Sequence, residues 1–246
     1  MRIVFRLSCL LLGLTSVLPA QPERRQVSDI PVPPGCARIP LPLSSYPAWL
    51  RASRLKADLS ILTHDGDTVS SESYRVLAVL DRPLLFRDDL EQCADWCFRL
   101  WAEYHREAGR LNKLYLFHYN GRRRYFSKSG KTFRSFLRWA MANANSHSLK
   151  NGCSLVDSLD LLPGDMLVQN NSGGVGHVSV VMDACADSAG HRYYLLGYGY
   201  MPAQEFHLER ASPEYGPQGW FDLQGIYQYL RIHFGSFGRP RAYRFP

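Results

Sequence analysis

The sequence predicts an α+β domain in which helices come first and an antiparallel run of strands follows. Three observations carry this expectation. Leu90, Cys93, Cys97, Trp101 and Tyr104 recur at helical spacing, which predicts a helix over residues 88–108 that stops at Gly109. A second helical stretch is expected over 132–145. From residue 166 onward, short apolar runs alternate with turn residues, as tightly connected strands require.

The elements are justified in chain order. Residues 1–20 read as a secretory signal: Arg2 and Arg6 precede an apolar run, Leu7 to Ala20, that is too short to span a bilayer comfortably. Cleavage is expected after Ala20. If the segment stayed uncleaved, it would be the chain's only contact with a membrane. Residues 21–43, rich in proline and arginine, read as a tether, and 44–246 as a single α+β domain. A short helix is expected around Trp49, and strands over 58–61 and 74–80 flank the turn His64-Asp65-Gly66-Asp67. Asn120-Gly121 predicts a hairpin between strands over 113–119 and 123–127. Strands are expected over 166–169, 177–183, 192–198 and 205–208, with an edge strand near Tyr243.

Lys and Arg outnumber Asp and Glu by 29 to 22, a formal net charge of +7. Removing residues 1–20 takes two arginines and leaves +5. This modest excess suits adhesion to anionic envelope polymers. Nucleic acid is excluded as a partner: the basic residues are scattered, and the one tight run, Arg122-Arg123-Arg124, reads as a solvated strand end. The expected location is secreted or periplasmic. Export places Cys36, Cys93, Cys97, Cys153 and Cys185 in an oxidising compartment, and their odd number leaves at least one without a partner in the chain.

A nucleophile would account for the odd cysteine, as would a buried inert thiol. Cys93 is the candidate, in Gln92-Cys93-Ala94-Asp95, and His177 is the candidate base, in Gly176-His177-Val178, where a glycine turn meets a strand. Asp88, Asp89 and Glu91 oppose a thiolate at Cys93. A helix starting at Asp88 would place that thiol a full turn inside, so activation rests on His177. Gln204 is favoured to orient the imidazole, with Tyr198 second, on a register that sets Tyr198 opposite His177. Gln92 would assist an oxyanion, and Asp95 would hold a loop or face substrate. Tyr200 and His207 would contact ligand. No cofactor or metal is called for. A minor alternative has Cys93, Cys97 and His177 binding a copper-type ion.

These residues carry a family resemblance. Trp49-Leu50-Arg51, Asp65-Gly66, Asp89-Leu90 with Gln92-Cys93-Ala94-Asp95, Gly164-Asp165, Gly173-Gly174 with Gly176-His177, and Tyr200-Met201-Pro202-Ala203-Gln204 with His207 resemble a bacterial family catalogued as domain of unknown function 4846, from about Ser44 to the C-terminus. The order of helix cysteine, Pro-Gly-Asp and Gly-His-Val is also similar to NlpC-type and CHAP-type cell-wall peptidases. That second resemblance implies a papain-like, NlpC-type arrangement of N-terminal helices packed on an antiparallel sheet. It also implies a thiol amidase or peptidase acting on envelope peptide, with Cys93 attacking and His177 as base. Ala94-Asp95-Trp96 departs from the small residue and glycine usual after such a cysteine. The alternative is a non-catalytic envelope-binding module on the same fold. The two readings divide on whether the Cys93 sulfur and the His177 ring lie within hydrogen-bond reach.

Overall fold

A computed structural model describes residues 25–70 and 72–246. The expected signal segment lies outside the described residues. Among them, no helix is long and apolar enough to cross a membrane.

The chain is a mixed helix and antiparallel-sheet, α+β, structure. In order, its elements are β1 (Cys36–Arg38), α1 (Tyr46–Arg51), β2 (Val76–Val79), α2 (Cys93–Glu107), β3 (Tyr115–Phe117), β4 (Arg123–Tyr125), α3 (Phe133–Asn143), α4 (Ser146–Gly152), β5 (Ser154–Leu155), β6 (Met166–Gln169), β7 (His177–Asp187), β8 (Arg192–Tyr198), β9 (His207–Glu209), β10 (Phe221–Asp222), α5 (Leu223–Phe234) and β11 (Arg241–Arg244). The main sheet runs β2-β9-β8-β7-β6-β11-β5, with β1 on the far end of β7 and β10 on the far end of β8. The hairpin β3–β4 stands apart, in the register the Asn-Gly turn dictates.

Side-chain alternation along β7 divides the core between the two faces of the sheet. Val178 and Val180 pack with Trp96, Phe98 and Leu100 of α2. Val181 packs on the other face with Tyr198 and with Ile226, Tyr229, Leu230 and Phe234 of α5. Helix α5 was not foreseen in the sequence. The Asp222 carboxylate caps it, accepting from Gly225 N at 2.6 Å, and Ile226, Tyr229, Leu230 and Phe234 give it one apolar face.

Three expectations need correction. Residues 25–43 are no free tether: Val27 and Ile30 are buried, and β1 pairs antiparallel with β7. The Asp183 carboxylate fastens this segment, accepting from Arg38 Nε at 2.7 Å and Arg51 Nε at 2.6 Å. The stretch 58–61 forms no strand, and only isolated bridges at Leu62 and Thr63 stand beside it. Helix α2 begins at Cys93, not Asp88, because Asp95 Oδ2 accepts from Gln92 N at 3.1 Å and fixes the N-terminus there.

Candidate functional site

The late start of α2 puts Cys93 at its first helical position. A thiolate there would gain from the helix dipole, yet the rest of the surroundings work against ionisation. Cys93 is buried, and its thiol donates to Gly176 O at 3.6 Å. Burial pushes the thiol up to about 12. The Val178 amide pulls down against this, and Asp95 adds to the rise.

His177 opens β7 beside that sulfur, but its ring points to the face covered by α5. There it stacks on Phe234, with ring centroids 3.6 Å apart and planes 8° from parallel, and meets the edge of Tyr198 at 5.1 Å. Its Nε2 hydrogen-bonds Ser179 Oγ at 2.8 Å, and its Nδ1 has no partner. No hydrogen bond joins ring and thiol. Burial first, and then the nearby His207, push the imidazole down to about 3. Neutral thiol and neutral imidazole are therefore the resting states. The glycine before the histidine serves close packing: a Cβ on Gly176 would lie 2.4 Å from both Gln169 O and Ser146 Oγ.

The remaining expected residues divide between two places. Gln92 and Asp95 belong to the cap of α2. The Gln92 side chain donates to Asp89 Oδ1 at 3.0 Å, and the buried Asp95 carboxylate caps, so neither is arranged as an oxyanion or substrate group. Tyr198, Tyr200, Gln204 and His207 gather on the α5 side. The pairing of Val180 with Gly197 sets Tyr198 alongside Ser179, two residues from the register expected, and directly opposite His207 on β9. Gln204 Nε2 donates to Tyr74 Oη at 3.1 Å rather than to an imidazole. The copper-type reading fails on geometry, because the Cys97 thiol donates back to Cys93 O at 3.7 Å within α2 and does not converge with His177. The described residues hold no cluster of three or more His, Cys, Asp or Glu placed for a metal.

What assembles instead is an aromatic cavity of about 510 Å3, walled by Tyr74, Tyr198, Tyr200, Gln204, Tyr229 and Phe234. The loop 199–204 forms its lip and is held from behind. Trp96 Nε1 donates to Gln204 O at 2.9 Å, Ala203 N donates to Asp89 Oδ1 at 2.6 Å, and a Cβ on Gly199 would lie 2.4 Å from the Trp96 ring. Below the rings, Tyr198 Oη shares a 2.6 Å hydrogen bond with Tyr229 Oη and donates to Glu209 Oε2 at 3.0 Å. Burial raises both phenols, and Tyr74 reaches about 12, so all three stay protonated donors at neutral pH. His207 sits between Tyr74 and Tyr198, at ring separations of 4.4 and 4.5 Å. Its Nε2 is 3.5 Å from Glu209 without forming a hydrogen bond.

Tyr74, Glu209, Tyr229 and Phe234 were missed in the sequence. The Asp222 cap with its 3-and-4 apolar spacing would have found the last two. A larger groove of about 990 Å3, with Arg231, Arg239 and Arg241 in its wall, contains none of the residues the sequence singled out.

The buried imidazole has a consequence for acid stability. Below the ordinary imidazole value of 6.5 the unfolded chain binds a proton that folded His177 refuses down to about 3. Stability is therefore lost as pH falls through that window, by about 2–3 kcal/mol at pH 4.5 from this group alone. Burial lowers His105 and His207 in the same sense. Glu91, Asp95 and Asp165, raised by burial, act oppositely, stabilising the acid side. Urea denaturation at pH 7 and 4.5 should show the loss, and His177→Gln should flatten it. An equal slope in the variant would refute the assignment.

Residues 118–239 match a family model described as domain of unknown function (4846), which supports the resemblance to that family. The matched stretch contains His177, the loop 199–204, β9 and α5, and it begins after Cys93. No curated protein and no solved structure matches the chain.

Proposed function

We propose that this domain is a ligand-binding module of the cell envelope, with the aromatic cavity at the loop 199–204 as its binding pocket. One observation carries the reading. The imidazole expected to activate a thiol is packed under the cavity instead, beneath Phe234 and beside Tyr198, on the side of the sheet away from α2. Tyr74, Tyr200, Phe234 and Gln204 line one opening, as in pockets walled mainly by aromatic side chains with a few polar groups. The envelope location rests on the N-terminal sequence and the basic balance of the chain.

Co-sedimentation of the protein with purified cell-wall sacculi tests this. At high salt the arginine groove is screened, so the binding that remains reports on the aromatic pocket. Tyr200→Ala combined with Gln204→Ala should reduce that binding at least tenfold, about 1.4 kcal/mol. Unchanged binding by the folded double variant would overturn the assignment of the pocket.

A second reading, the NlpC-type thiol hydrolase, is favoured by one observation: Cys93 opens α2, and its sulfur rests against the backbone on either side of His177. In that reading His177 leaves Phe234 and turns to the sulfur as substrate enters, takes the thiol proton as Cys93 attacks an envelope amide, and returns it to the amine that leaves as the C–N bond breaks; water then hydrolyses the thioester, and Gln204 or Tyr198 orients the ring.

A further inference from the structure

The electrostatics of the cavity name a ligand class. The chain carries more Lys and Arg than Asp and Glu, yet no Lys, Arg, Asp or Glu side chain lines this cavity. Its walls are aromatic. Tyr198 stands at 6.0 Å from Tyr74 and 5.4 Å from Phe234, while Phe234 stands at 5.6 Å from Tyr200 and 6.1 Å from Tyr229, all at interplanar angles of 54° or more. Rings set at such angles cannot all lie face to face, so ring faces as well as edges border one volume, and the faces carry the negative end of each ring's quadrupole.

Behind them lies Glu209, buried, accepting from Arg75 N at 2.9 Å and from Tyr198 Oη at 3.0 Å. Among the described residues no Lys or Arg side chain forms a salt bridge with it. The Arg75 side chain turns instead to a separate groove beside Arg210. A buried carboxylate held by neutral donors leaves a negative field directed through Tyr198 into the cavity. The last turn of α5, which supplies His233 and Phe234, adds the negative end of a helix dipole.

We propose that this pocket takes an organic ammonium ion, held by cation–π contact with Tyr74, Tyr200 and Phe234 and by the field of Glu209, with the buried Tyr198 lying between that carboxylate and the cavity. The proposal rests on the reading of the cavity as the binding pocket and identifies what it recognises.

Calorimetric titration of the full folded chain at pH 8 with choline, and with its neutral carbon isostere 3,3-dimethylbutan-1-ol, separates charge recognition from shape. Choline should bind about tenfold or more tightly than the isostere. Tyr200→Phe should keep most of that preference, because the ring face remains, whereas Tyr200→Leu should lose it. Glu209→Gln, which keeps an acceptor for Tyr198, should reduce the preference several-fold. Equal binding of both probes would overturn the ammonium proposal while leaving the pocket in place. Binding of neither at 10 mM would also overturn it, and sacculus co-sedimentation then decides separately whether the pocket binds envelope material.

Discussion

Cys93 is expected to remain unmodified when the native protein is alkylated at neutral pH, and to react fully once the chain is unfolded. An ordinary thiol at 9.0 exposes about one thiolate in a hundred at pH 7, and a thiol pushed up to about 12 exposes about a thousandfold less, before its burial is counted. Half-buried Cys36 provides the internal reference. Peptide mass spectrometry after timed labelling from pH 6 to 9 reads the result site by site. Rapid labelling of Cys93 below pH 7, abolished by His177→Ala, would establish an activated pair and exchange the binding-module reading for the thiol hydrolase. Geometry sets the expectation. An imidazole sandwiched against Phe234 and bonded to Ser179 cannot also take the thiol's proton, and the sulfur's own hydrogen bond goes to a carbonyl, which stabilises the neutral thiol.

The positions of these two residues were more legible in the sequence than their relation. Periodicity found α2, and the glycine turn found the start of β7, so Cys93 and His177 were placed on adjacent elements. The register expected for Tyr198 differs by two residues from the one found, a shift that keeps every side chain on its face. What no local signal fixes is which face α2 covers: Val178 and Val180 pack under α2, which leaves His177 on the side of α5. The start of α2 was misjudged for a related reason. Asp88, Asp89 and Glu91 look like first-turn acids, but Glu91 is spent on Leu85 N and Arg99, and Asp89 on Ala203 N, all contacts distant in sequence or made through a loop. Of the segment Tyr200 to His207 expected to contact ligand, Tyr200, Met201, Pro202 and Gln204 line the cavity, and His207 lies behind it between Tyr74 and Tyr198. The cavity residues Tyr229 and Phe234 lie on α5, whose apolar spacing after Asp222 carries the signal for a helix.

Replacing Arg99 by Ala is expected to destabilise the fold by about 3–5 kcal/mol, because it leaves a buried carboxylate without its cation. Arg99 donates through Nη1 to Glu91 at 2.7 Å and through Nε to Glu103 at 3.0 Å, and all three side chains are at most 4% exposed. Arg82 covers the other oxygen of Glu103 and also reaches the more exposed Glu107 at 3.5 Å, so within the buried part of the network two guanidiniums face Glu91 and Glu103. Loss of Arg99 strands Glu91, whose other oxygen holds Leu85 N. Arg99→Lys should recover only part of the loss, since one ammonium cannot span both carboxylates in the geometry of the guanidinium fork. Glu91→Leu with Arg99→Met removes the charges in balance and should stand well above Arg99→Ala in a urea denaturation series; a double variant no better than the single one would show that shape rather than charge is at stake. The network also reaches the pocket. The Arg99 guanidinium lies 4.6 Å over the Trp96 ring, and Trp96 holds the Gln204 carbonyl at the cavity lip. Ligand affinity in Arg99→Lys, measured where the variant is fully folded, should therefore fall even though Arg99 touches no part of the cavity wall, because the ring that fixes the loop 199–204 loses the planar cation packed against it.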